Sequence, residues 1–310
     1  MKIPMTIGGC RKAALVAAAA MAASTAMASG VGTTGAQFLK VGVGARPLAM
    51  AGAFSALADD ANALNWNPGA LGAQTKRSAT LSYNALFDDT NQGFLGYAHP
   101  LADEMGTLAG GINYLTVSNI PKRAGDTESP DSTFNNQNFV ISGAYGKKTA
   151  VEGLSVGGTL KYLRETLDSF SASAVAIDAG ALYKTRVPGL TAGGSIQNLG
   201  TKLGPDPLPT TLKGGAAYKL LGDKLALAGD LDWFAEDRRA QFDLGAEYWA
   251  HKALALRAGY QFGRWQDHLG GINGASFGFG VCVERLRFDY AFLPFGRLGD
   301  THRMTLGWTF

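Results

Sequence analysis

The chain has 310 residues, of which 17% are charged and 42 are glycine. An average soluble chain carries about a quarter charged residues and roughly half this share of glycine. Hydrophobic content of 46% with a formal charge of only +3 excludes disorder and a strongly basic nucleic-acid binder, and two cysteines exclude a disulfide scaffold.

Residues 1–28 read as a secretory signal. Lys2, Arg11 and Lys12 make the positive end, Ala13 to Ala23 the apolar stretch, and Ala26-Met27-Ala28 a small-x-small cleavage site. Its removal takes three positive and no negative charges, cancelling the formal +3. Cys10 leaves with it, so Cys282 has no partner for an internal disulfide. No later stretch is long and apolar enough for a transmembrane helix.

Residues 29–77 do not alternate. Met50, Phe54, Leu57, Ala61 and Leu64 follow helical spacing, which predicts a short amphipathic helix, with Asn67-Pro68-Gly69 as a turn after it. The segment is expected at the periplasmic mouth, folded into the lumen as a plug.

From residue 78 the chain divides into fourteen alternating segments: 78–87, 92–99, 106–117, 135–147, 153–166, 171–186, 190–198, 210–220, 224–234, 238–249, 253–262, 275–283, 286–292 and 301–310. The last shows the pattern best. His302, Met304, Leu306, Trp308 and Phe310 share one face, and Arg303, Thr305, Gly307 and Thr309 the other. In a membrane barrel the lipid meets every second residue, so the expected fold is all-β: a transmembrane antiparallel barrel over 78–310. Loop length sorts by parity. The long connections 118–134, 199–209, 263–274 and 293–300 are all odd-numbered, whereas Val187-Pro188-Gly189, Leu221-Gly222-Asp223 and Glu284-Arg285 are even-numbered and short. That is the pattern of outer loops and periplasmic turns.

Tyr114, Tyr145, Tyr162, Tyr183, Tyr218, Tyr248 and Tyr260 fall toward segment ends on the apolar face, where an amphipathic ring meets lipid headgroups. The polar face is expected to point inward. It carries Lys161, Asp178, Lys184 and Lys213, and a charge network of Asp230, Asp232, Asp243, Glu247, Arg257, Arg287, Asp289 and Arg303. Mixed signs predict pairing across neighbouring strands: Asp243 or Glu247 with Arg257, and Asp289 with Arg303. Leu306, Trp308 and Phe310 form a terminal aromatic stripe of the kind that barrel assembly machinery reads.

Three stretches resemble one family. They are GAQFLKVGVGARPLAMAGAFSALADDANALNWNPGALG (35–72), GLTAGGSIQNLG (189–200) followed by PLPTTLKGGAAYKL (207–220), and FDYAFLPFGRLGDTHRMTL (288–306). In order along the whole mature chain, they resemble the PorV/PorQ family of outer-membrane proteins, itself similar in fold to FadL-type fatty-acid channels. The resemblance implies fourteen strands, a luminal N-terminal segment in which Asn67-Pro68 is the family's Asn-Pro, and an outer-membrane location in a Gram-negative-type bacterium. It implies a non-enzymatic component that binds exported or surface partners through loops such as 118–134 and 263–274. A FadL-like conduit for hydrophobic small molecules is the alternative. Expected partners are outer-membrane lipid, the assembly machinery, and exported proteins or hydrophobic ligands, with no nucleic acid.

No enzymatic motif survives its context. Gly274-Ala275-Ser276-Phe277-Gly278 matches a nucleophile elbow but opens an alternating segment rather than joining strand to helix. Gly30-Val31-Gly32-Thr33-Thr34-Gly35 matches a dinucleotide loop with no strand before it. His99, His251, His268 and His302 are scattered, so no metal or other cofactor is expected. Asp59-Asp60 is expected as a solvated cap rather than a calcium contact.

Overall fold

The structure is a computed structural model that describes residues 32, 34–263 and 272–310. The signal segment, half of the dinucleotide-like match, His268 and most of the 263–274 connection lie outside the described residues.

Fourteen antiparallel strands form one closed barrel in which every strand pairs with its sequence neighbours. They are β1 (Ser78–Ala85), β2 (Thr90–Pro100), β3 (Thr107–Lys122), β4 (Ser132–Lys148), β5 (Leu154–Leu167), β6 (Phe170–Lys184), β7 (Leu190–Gly200), β8 (Thr211–Leu220), β9 (Leu225–Phe234), β10 (Arg239–His251), β11 (Leu254–Phe262), β12 (Ala275–Val283), β13 (Leu286–Pro294) and β14 (Asp300–Thr309). The ring closes by pairing β1 with β14 from Ser78↔Thr309 to Ala85↔His302. Closure leaves no strand edge unpaired, which is what a bilayer demands of a spanning sheet.

Alternation sets the two faces. Along β14, His302, Met304, Leu306 and Trp308 are exposed while Thr301, Arg303 and Thr305 are buried inside. Exposed leucines, valines and aromatics cover the outside of the barrel. Tyr97, Tyr145, Tyr183, Tyr218, Tyr248 and Trp308 lie on the outer face near the even-numbered turns. Tyr83, Tyr114, Tyr162, Trp233 and Phe262 lie nearer the odd-numbered turns. An apolar belt edged by aromatic rings is the surface of an outer-membrane barrel.

The tightest turns of the even end are Lys252-Ala253, between β10 and β11, and Glu284-Arg285, between β12 and β13. The longest connections, 123–131, 201–210 and 263–274, are odd-numbered, although 168–169 is odd-numbered and short. We therefore assign the even end to the periplasm. The expected 118–134 loop is partly strand. Beyond Val117, β3 no longer pairs with β2 but continues with β4 through a bulge at Asn119, as Ile120↔Phe134 to Lys122↔Ser132. Backbone pairing with one remaining neighbour extends the strands as a ribbon past the rim.

Residues 34–77 run through the lumen. The segment begins at the outer mouth, where Gly35 N–H donates to Pro207 C=O at 3.0 Å. It ends at the periplasmic mouth, where Phe310 N–H donates to Arg77 C=O at 3.0 Å. Rather than staying at the periplasmic mouth, the segment spans from one mouth to the other. Its regular pieces are a 3-10 turn (Gln37–Lys40), a helix (Ala45–Ala49), a second helix (Ala63–Trp66) and a 3-10 turn (Pro68–Ala73). The amphipathic helix expected from Met50 to Leu64 does not form. Ala51 and Gly52 take positive φ of 58° and 94°, which ends the first helix.

Glycine explains how so much backbone fits inside. A Cβ built on Gly157 of β5 would lie 2.2 Å from Pro68 O, and one on Gly193 of β7 would lie 2.2 Å from Ser55 O. Gly259 of β11 would similarly meet the Met50 carbonyl carbon at 2.4 Å. The wall approaches the segment backbone to backbone, which only glycine permits. The hydrophobic core is therefore inside the barrel, formed by the segment's Met50, Phe54, Leu57, Leu64 and Leu71 with small wall residues.

Candidate functional site: the barrel lumen

One side of the luminal segment is tied to β10, β11 and β13 by a closed loop of charge. Arg46 donates from Nε to Glu247 Oε2 at 2.8 Å and from Nη2 to Oε1 at 2.9 Å. Arg257 donates from Nε to Glu247 Oε2 at 2.7 Å and from Nη1 to Asp289 Oδ1 at 2.9 Å. Arg287 bridges Asp289, at 2.7 Å, to Asp60, while Arg46 also pairs with Asp59. The loop closes through the Asp59–Asp60 peptide bond. Such a network is stable only when each charge has partners, because desolvation of an unpaired member is costly.

Two corrections follow. Asp60 is buried, 7% exposed, and is no solvated cap. Burial alone would raise its pKa, but Arg287 and Arg46, with a bond from Asn62 N–H, hold it below the usual carboxylate range. Burial would likewise lower the Arg46 pKa, and Asp59 and Glu247 outweigh it. The second correction concerns Asp289. The register sets Thr305 opposite Asp289 and Ala291 opposite Arg303, so Asp289 pairs with Arg257 and Arg287 rather than with Arg303. Of the two acids offered to Arg257, Glu247 is its partner, directly opposite in register. Asp243 instead accepts from Gln241 Nε2 at 3.1 Å.

The remaining expected residues sit around the same lumen. Asp230 Oδ2 accepts from the backbone N–H of Phe54 at 3.0 Å and Ser55 at 2.8 Å. Asp232 pairs with Lys213, and Lys161 pairs with Asp178 at 2.6 Å. Arg303 is buried and faces the outer half of the lumen. Asn67 caps the Pro68–Ala73 turn by accepting from Gly69 N–H at 3.0 Å. Its Nδ2 donates to Ser55 C=O and to Ala181 C=O of β6 at 2.8 and 2.9 Å. At the other end of the chain, Trp308 stacks on Phe310 with ring centroids 5.9 Å apart, and Phe310 meets Tyr97 edge-on at 6.4 Å.

Above the segment, residues 34–41 divide the outer half of the lumen into two chambers. One, of about 380 Å³, sets the charged groups Lys40, Lys213, Asp232, Asp243 and Arg303 beside apolar residues such as Leu39, Trp66 and Phe234. The second, of about 590 Å³, is lined by Phe38, Leu86, Phe87, Leu115, Leu167 and Phe170, with Glu165, Asn136 and Asn138 at its edges. Continuous with it is a buried cluster that includes Leu115, Val140, Leu163, Ala174 and Ala176. These are inward-facing wall residues on β3–β6, where the alternation predicts polar side chains. The signal is present in Val140-Ile141 and in Leu160 to Leu163, where the apolar pattern fails to alternate. A third cavity of about 250 Å³ opens at the periplasmic mouth between Leu57, Leu182, Lys184 and Lys219. Among the described residues no cluster of His, Cys, Asp and Glu is arranged to hold a metal. Ser276 of the elbow-like match donates to Ala49 C=O at 3.0 Å, a structural bond.

A closed fourteen-strand barrel with a luminal N-terminal segment and an apolar inner chamber is a fold found among solved outer-membrane transporters. The toluene transporter TodX of Pseudomonas putida is similar to this chain with a TM-score of 0.60 at 13% identity, over 86% of this chain and 98% of that one. A deltaS2S3 mutant of the TodX monoaromatic hydrocarbon channel gives a TM-score of 0.61 at 13% identity over the same shares. The toluene transporter TbuX of Ralstonia pickettii gives 0.56 at 13% identity, over 86% and 97%. No family model matches the chain, and no curated protein matches it in sequence. The FadL-like part of the resemblance is thus shared with solved folds, and the narrower PorV/PorQ part rests on the sequence stretches alone.

Proposed function

We propose that this protein is a FadL-like conduit for small hydrophobic molecules, the alternative of the two readings drawn from sequence. The observation that carries it is the chamber of about 590 Å³ lined by Phe38, Leu86, Phe87, Leu115, Leu167 and Phe170. Beside it, Leu115, Val140 and Leu163 of the inner wall are buried in one cluster with Phe38 of the segment and with Leu203 and Leu208. Apolar surface left open in that chamber offers about 25 cal/mol per Å² to a ligand that covers it. TodX and TbuX, barrels of the same fold, are named as toluene transporters, which fits a small apolar cargo. The reading as a PorV/PorQ component that binds exported or surface partners rests on the sequence stretches and on the projecting β3–β4 ribbon.

Toluene and N-phenyl-1-naphthylamine are suitable probes. Purified protein should bind both saturably, with displacement of the fluorescent amine by toluene. Leu115→Asp puts a charge on the wall of the apolar chamber and should weaken binding about tenfold or more. Absence of saturable binding, or equal binding by the variant, would remove the conduit reading.

A further inference from the structure

We propose that the path from the outer chamber of about 380 Å³ to the periplasmic mouth runs along β7–β9, and that the stretch Ala53–Ala58, latched by Asp230, is the strap that closes it. This rests on the conduit reading and names where transit occurs.

Three sides of the segment are firmly held. The charge loop fixes it against β10, β11 and β13, and the bonds from Ala45 N–H to Thr305 and from Ser276 to Ala49 C=O fix its first helix to β14 and β12. Toward β4–β6, the Pro68–Ala73 turn lies backbone against wall glycine, with Ser155 donating to Gly69 C=O at 2.8 Å. Facing β7–β9, the segment is the irregular stretch between its two helices; Ser55 O lies against Gly193 of β7, but among the described residues 53–58 there is no charged side chain to form an ion pair with the wall. The wall beside it is small: Gly215, Ala217, Ala226 and Ala228. Displacing such a strap would expose a smooth groove along these small residues.

Cavities approach this stretch from both sides. The outer chamber reaches Gly52, Asn65, Trp66 and Asp232, and the mouth cavity reaches Ala56, Leu57, Ala58 and Lys219. The layer of Ala53, Phe54 and Ser55 separates them along this wall. The layer is held by Asp230 Oδ2 through two backbone N–H groups, by Asn67 Nδ2 on Ser55 C=O, and by Phe54 packed edge-on against Trp66 at 6.1 Å. Its polar atoms are incompletely satisfied: among the described residues, Ser55 Oγ and Asp230 Oδ1 are buried without a hydrogen-bond partner. Both would gain water on opening, which lowers the cost of opening here relative to the bonded flanks. The charged groups that face the latch are Asp243, directly opposite Asp230 in register, and Lys213 and Asp232, paired with each other.

A thiol reporter tests the route without any cargo. Ala217→Cys in a Cys282→Ser background places a buried thiol behind the strap, for reaction with a cationic methanethiosulfonate in detergent. Adding Asp230→Ala should accelerate labelling about tenfold or more, in proportion to the open population. The same change should leave a Thr159→Cys thiol on β5, beneath Leu64, as slow as before. Unchanged labelling at Ala217→Cys in a heat-modifiable barrel would overturn the proposal, as would equal acceleration at Thr159→Cys, which means the whole segment leaves. Hydrogen exchange of the unaltered protein decides the matter if Asp230→Ala fails to assemble. Amides of 53–58 should exchange faster than those of 45–49 and 68–73, and equal or slower exchange would overturn the strap. Neither readout involves a transported molecule, so failure here leaves the conduit reading standing, and failure to bind toluene leaves these results standing.

Discussion

At the scale of single residues the decisive groups are Glu247 and Asp60, because each joins the luminal segment to the wall. Glu247 accepts from two arginines, Arg46 on the segment and Arg257 on β11. Glu247→Ala leaves both guanidinium groups short of a partner in a site from which water is excluded, and should cost roughly 3–5 kcal/mol. The check is a lowered temperature for the heat-modified shift on gels. Asp60 makes a pH prediction. Its folded pKa lies below its ordinary value, so the unfolded chain binds a proton first as pH falls. Its contribution is full above the ordinary carboxylate value of about 4 and is lost as pH falls toward the folded pKa. Attachment of residues 59–63, followed by hydrogen exchange, should therefore be constant from neutral pH to about 5 and loosen below about 4. Asp60→Asn should already be loosened at neutral pH and lose this acid step. An acid step of equal size in the variant would assign it to another carboxylate.

At the scale of elements the closest fit is between glycine and the luminal backbone. Gly157→Val places a branched side chain where Pro68 O already lies 2.2 Å from a Cβ position. The Pro68–Ala73 turn cannot stay seated, and trypsin should cut faster after Lys76 and Arg77 than in the unaltered protein. Cutting at the unaltered rate would mean that β5 yields instead. The strands are legible in sequence because each must show lipid an apolar face, and a period of two survives any luminal content. His302 to Trp308 displays it without a break. The luminal segment defeats periodicity for an equally physical reason. Met50 meets β10 and β11, Phe54 meets Asp230 of β9, and Leu64 meets Gly111 of β3. Inside a barrel every direction is wall, so apolar residues at helical spacing need not share a helix face. The apolar inner strip is hidden by the same rule that reveals the strands. That rule makes inward residues polar, and Leu115, Val140 and Leu163 break it where they cluster with Phe38 of the segment, beside the apolar chamber. Partner choice within the charge network is only half legible, since Glu247 and Arg257 face each other by register while Asp289 depends on a segment residue, Asp60, reached through Arg287.

At the scale of the whole molecule, enclosure and closure are separate properties. Fourteen strands enclose more volume than their own side chains fill. Here the difference is taken up by residues 34–77, whose backbone meets wall glycine on several strands and whose charges are paired with the wall. Cavities of about 380 and 590 Å³ lie on the outer side of the segment and one of about 250 Å³ at the periplasmic side, with the segment between them. Ions crossing this layer would have to shed water beside buried, already paired charges, which is unfavourable in a poorly hydrated interior. The intact protein in a planar bilayer should therefore show low conductance in its resting state, unlike a general porin. Deleting residues 35–72 removes Arg46, Asp59 and Asp60 together with the core residues Met50, Phe54 and Leu64, and should open a large steady conductance. Large conductance from the intact protein would refute closure by the segment. Equal low conductance from both forms would also refute it, and would place the seal in the wall charges Lys213, Asp232 and Arg303 or in the outer connections.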